Sequence, residues 1–100
     1  MFDKLKKVEE RYETISTLLC APGGSNDREQ YTALLKELKQ LTPVVEKYRS
    51  CLAAEKEFSS AEALLADKDL NKEFRDMVLE DLELTRQKLD TLMAQLKVLL

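Results

Sequence analysis

The 100-residue sequence has no histidine and no tryptophan, and only two glycines, two prolines and two cysteines. Each shortage excludes something. Without histidine there is no Ser-His-Asp or Cys-His catalysis, no histidine-ligated metal and no imidazole switch near neutral pH. A sheet protein needs a turn every roughly eight to twelve residues, and so few turn formers exclude an all-β fold. Cys20 and Cys51 form no Cys-x-x-Cys pair, and two thiols without other soft ligands do not make a zinc site. No run approaches the ~18 apolar residues of a membrane span. The opening Met1-Phe2-Asp3-Lys4-Leu5-Lys6-Lys7 is charged where a secretory signal needs an apolar core. One disulfide is arithmetically permitted, but the lack of secretory features favours two reduced thiols in a cytoplasmic protein.

Charge of either sign is equally unconcentrated at coarse scale. Sixteen Lys+Arg against nineteen Asp+Glu leave a net −3. Residues 1–20 hold four of each sign, residues 21–66 six positive and seven negative, and residues 67–100 six and eight. No segment is a basic block that would by itself hold nucleic acid, and DNA is not an expected partner. What the chain does have is 44% hydrophobic and 35% charged residues. That balance implies one soluble helical domain that is not an enzyme and needs no cofactor.

Three segments carry a helical period, predicting an all-α three-helix bundle dominated by a long antiparallel hairpin. In the first helix, about residues 2–20, Phe2, Leu5, Val8, Tyr12, Ile15 and Leu19 fall on one stripe. Ala21-Pro22-Gly23-Gly24 ends it. The second helix, about 27–66, opens with capping-box spacing, Asn26 with Glu29 or Asp27 with Gln30. Its stripe is Tyr31, Leu34, Leu38, Leu41, Val45, Tyr48 and Leu52. The alternation then resumes one residue out of phase at Cys51, Ala54, Phe58, Ala61 and Leu65. Such a slip rotates the buried face, as happens when a long helix changes packing partner.

Thr42-Pro43 reads either as a fresh helix start or as a single helix kinked at the proline. The stripe keeps its phase through Pro43, which favours one helix, roughly 60 Å long at ~1.5 Å per residue. After the turn Ala66–Leu70, Asn71 is the expected N-cap of a third helix, about 71–99. Phe74, Val78, Leu82, Thr85, Leu89, Leu92, Leu96 and Leu99 form its stripe, with Leu89 expected to be enclosed between helices. No Gly, Asn or Pro stop follows, and the expectation is an N-terminal piece of a longer protein. If so, Val98 and Leu100, off the stripe, are expected to support weak self-association.

Candidate chemistry is sparse, and in each case packing or solvation is the stronger reading. Gly23-Gly24-Ser25 lacks the Gly-Lys-Ser/Thr and preceding strand of a phosphate loop, so it is read as a helix break. Asp76, Glu80, Asp81 and Glu83 form an acidic face without the Glu-x-x-His pairs of a bundle metal site. Lys4, Lys7 and Arg11 make a short strip able to touch RNA phosphates, though three exposed charges more often serve solubility and local pairing. Tyr12, Tyr31 and Tyr48 lie on apolar stripes, which implies packing with a solvated hydroxyl. No catalytic, cofactor-binding or metal residue is assigned.

Several stretches together resemble a known family. They are Met1-Phe2-Asp3-Lys4-Leu5, Glu10-Arg11-Tyr12-Glu13, Leu41-Thr42-Pro43-Val44-Val45-Glu46-Lys47-Tyr48-Arg49, Ala63-Leu64-Leu65 and Phe74-Arg75-Asp76-Met77. In this order the chain resembles the N-terminal helical domain of bacterial peptide chain release factor one, the class I factors that decode UAA and UAG. The family's Gly-Gly-Gln release loop is absent, since Gly23-Gly24 precedes Ser25, and so is its Pro-x-Thr decoding tripeptide, since Val44-Val45 follows Pro43. The resemblance implies a domain of a translation termination factor that meets protein and rRNA at the ribosome's large-subunit stalk base and is linked to release factor three. A second reading from the residues alone is a free-standing helical adaptor or coiled-coil scaffold.

Overall fold

Helix formation follows the periodicity almost to the residue. A computed structural model describes residues 2–21 and 27–100. It has three helices, α1 (Phe2–Cys20), α2 (Arg28–Leu65) and α3 (Lys72–Leu99), and no strand among the described residues. Asp3, Glu29 and Glu73 place a carboxylate in the first turn of each helix, where it complements the dipole. Asp27 caps α2: its Oδ1 accepts the amides of Glu29 at 2.9 Å and Gln30 at 3.5 Å. The other expected pairing, through Asn26, and the Gly23-Gly24-Ser25 break lie outside the described residues. Asn71 caps α3 with extended backbone, its Oδ1 accepting the Phe74 amide at 2.8 Å.

Pro43 lies inside α2, which runs through it as one helix. Proline has no amide to give the Lys39 carbonyl, a loss one exposed position in a long helix tolerates. Immediately before it, the Thr42 hydroxyl donates to the Leu38 carbonyl at 2.7 Å, adding a bond where the ladder is thinnest.

Internal packing divides the chain into two units, one ending at Tyr48 and the other running from Arg49 to Val98. In the first, α1 packs antiparallel to the first half of α2. The Phe2 and Tyr48 rings meet at 5.9 Å, tilted by 59°, and Arg11 bonds Glu37 further along. Its core is Leu5, Ile15, Leu34, Val45 and Tyr48. In the second, the remainder of α2 and α3 form a hairpin with Cys51, Ala54, Ala61, Val78, Thr85 and Leu96 buried. The expected phase slip is present: Tyr48 and Cys51 are buried while Leu52 is exposed. It falls where α2 passes from the unit it shares with α1 into the one it shares with α3.

Several stripe positions are less covered than their spacing implies. Tyr31 and Phe74, each in the first turn or so of its helix, are exposed, as are Leu52 and Leu99, and Leu89 is half-buried rather than enclosed. A stripe specifies which way a side chain faces; the size of the residue opposite decides how well it is covered. Among the described residues no buried side-chain nitrogen or oxygen lacks a hydrogen-bond partner.

Candidate functional site

The residues with chemical potential do not converge. Among the described residues no group of three or more His, Cys, Asp or Glu is placed to hold a metal ion. Glu83, from the acidic face, accepts Arg86 at 2.7 and 3.0 Å and Gln87 at 3.2 Å, and Arg86 also reaches Asp90 at 2.9 Å. Those hydrogen bonds, Arg86 first, hold the Glu83 carboxyl below its ordinary range. Asp76, Glu80, Asp81 and Glu83 are all exposed, and Glu83 is paired along its own helix. Both cysteines are free thiols, Cys20 exposed and Cys51 buried in the second unit. The described residues include no helix long and apolar enough to cross a membrane.

The basic strip on α1 is reduced by a pairing across 26 residues. Arg11 holds Glu37 of α2 with both arms of its guanidinium, Nε to Oε2 at 2.7 Å and Nη2 to Oε1 at 2.9 Å. The bidentate hydrogen bond and the adjacent charge raise the Arg11 pKa, and the same bond lowers that of Glu37. Arg11, itself still exposed, thus ties α1 to α2, while Lys4 and Lys7 are the other exposed cations of that strip. The tyrosines separate: Tyr48 is core, Tyr12 is half-buried and Tyr31 is exposed.

The second unit contains an open groove of about 820 Å³ between the second half of α2 and the first half of α3. Ala53, Ser60 and Ala61 line one side and Phe74, Met77 and Val78 the other. Small residues on α2 leave the space that makes Phe74 exposed. Arg75, next to the lining residue Phe74 in sequence, ties the α2–α3 turn together. The last turn of α2 has no basic residue of its own. Arg75 reaches back from α3 to the carbonyls of Leu65 at 3.5 Å and Asp67 at 3.3 Å, supplying the missing cation at the negative end of the helix. Asp67 also accepts the Asp69 amide at 3.0 Å, tightening the turn. Sequence reading overlooked this groove, whose signal is the small-residue set Ala53, Ser60 and Ala61 facing Phe74 and Met77.

Comparison with known proteins places the chain in a family. The PCRF domain matches residues 8–100. The whole chain is 38% identical over 100 residues to peptide chain release factor 1 of Bacillus licheniformis. It is 36% identical over the same length to that of Alkaliphilus oremlandii and 38% to that of Bacillus subtilis. In each case the chain spans 28% of the relative's length. No solved structure matches it.

Proposed function

Since this chain belongs to the PCRF domain family, we propose that it is the N-terminal helical domain of a longer release factor that directs translation termination at UAA and UAG codons. The observation that carries the reading is similarity along the entire chain to proteins named peptide chain release factor 1, each over three times its length. The domain positions its parent on the ribosome, against protein and rRNA at the large-subunit stalk base, in the cytoplasm. Release factor three is its functional partner there. Peptidyl-tRNA hydrolysis belongs to parts of the parent beyond these 100 residues, because no Gly-Gly-Gln occurs in them. Helix pairs joined by arginine contacts, Arg11 to Glu37 between α1 and α2 and Arg75 across the α2–α3 turn, suit positioning rather than chemistry.

The test is a chimera. The matching segment of the Bacillus subtilis factor is replaced by this chain, and peptide release is measured on ribosomes programmed with UAA, UAG and UGA. Release at the first two codons near the parental rate supports the reading. Release no better than that of a factor simply lacking the segment overturns it. The isolated chain should release no peptide above background at any codon.

A further inference from the structure

The groove of the second unit is apolar inside and acidic around. Ala61 and Val78 are buried along its length, while Leu64, Phe74 and Met77 stand open to solvent, Met77 at 65%. Leu84, 58% exposed, continues the Phe74, Met77, Asp81 line along α3 with steps of three, four and three residues. An exposed row of this kind, flanking the stripe that α3 buries, is apolar surface beyond what the hairpin consumes. Methionine and phenylalanine side chains adapt to many apolar shapes.

Charge says what fits there. Residues 53–83, which include the whole groove, hold ten Asp/Glu and four Lys/Arg, a net −6, while the remainder of the chain is +3. One of those four cations, Arg75, is turned onto carbonyl oxygens. Glu57 and Asp81 lie on the groove's rim, with Lys56 the single base among its lining residues. A phosphate backbone is repelled by such a surround. From Ala53 to Leu64 the α2 wall rises about 16 Å, three turns of helix.

We propose that this groove docks an amphipathic helix of a protein partner, with an apolar face and lysine- or arginine-rich flanks. The apolar face lies on Leu64, Phe74 and Met77, and the basic flanks meet Glu57 and Asp81. This inference rests on the groove and its charge alone and stands apart from the termination reading.

The experiment uses the chain and a labelled synthetic helix of about 18 residues, long enough to hold its structure on a surface, with leucines spaced three and four apart and lysines elsewhere. Fluorescence anisotropy should show saturable one-to-one binding that weakens severalfold between about 50 and about 200 mM salt. Met77→Asp separates docking from mere charge attraction. It adds a negative charge, so Coulombic association would tighten, whereas docking weakens by about tenfold or more. Ser60→Trp fills the groove with no change of charge and should weaken binding similarly. Circular dichroism and melting verify that both variants remain folded, and a glutamate-flanked version of the peptide should bind about tenfold less. The proposal is overturned if Met77→Asp binds as well or better, if Ser60→Trp has no effect, or if the glutamate peptide binds equally. Displacement of the peptide by an RNA hairpin also overturns it, as does a chain dimer that Met77→Asp dissociates, which would put a second copy in the groove.

Discussion

At the scale of single residues, two arginines determine how helices meet. Arg75 closes the end of α2 from outside that helix, through carbonyls at 3.3 and 3.5 Å. Arg75→Leu keeps much of the aliphatic stem and removes the donors; thermal unfolding should show a loss of about 0.5–1.5 kcal/mol. Arg75→Lys should recover only part, since one ammonium does not reproduce the two-armed reach. Arg11 and Glu37 carry a pH signature. The hydrogen bond from Arg11 depresses the Glu37 pKa in the folded chain, so the pair's contribution is fully present above the unfolded value, about 4.3. It is lost as pH falls through the lower folded value. Glu37→Gln should therefore melt below wild type at neutral pH and converge with it as the pH falls below that lowered folded value. A gap that persists unchanged in acid would mean that packing, not the carboxylate, holds the contact.

Helices were the most legible level, and the reasons are local. Stripe spacing and Asp27 and Asn71 as caps act within a turn or two of themselves, and the helix ranges follow from them. Even the change of partner along α2 was written as a one-residue slip between Tyr48 and Cys51. Side-chain partners across helices were not legible. Arg11 meets Glu37 26 residues away, and Arg75 meets backbone oxygens that no side-chain pattern announces. The groove depends on small residues opposite large ones, a property of two helices together. Leu89 shows the same limit: its spacing equals that of Leu96, yet Leu96 is 0% exposed and Leu89 is half-buried. Leu96→Ala should accordingly cost about 2–5 kcal/mol and Leu89→Ala distinctly less, measured by chemical denaturation. Pro43 offers the opposite sign. It sits exposed within α2, so Pro43→Ala restores an amide for the Lys39 carbonyl without disturbing the core. Melting should rise, by the equivalent of up to ~3 kcal/mol. A fall would show that the proline's geometry is required by the packing on either side.

For the molecule as a whole, net charge conceals a distribution. The −3 total is what remains of an acidic −6 stretch and a +3 remainder. Near the isoelectric point, pI ≈ 5.1, overall repulsion between copies vanishes while exposed apolar surface stays. The C-terminal turn of α3 carries the most exposed large apolar side chain among the described residues. Val98 is 86% exposed and Leu100 is also open to solvent, both off the stripe that buries Leu96. We therefore expect weak self-association through residues near 93–100, rising with concentration and strongest near pH 5, where light scattering across a wide concentration range will detect it. Val98→Lys with Leu100→Lys should abolish it at every pH. Both substitutions add charge to side chains already in water, so helicity and melting should hold. If association survives them and disappears in Met77→Asp, the copies meet through the groove of the second unit instead. A tight dimer indifferent to all three would favour a coiled-coil scaffold over a domain that works as a monomer.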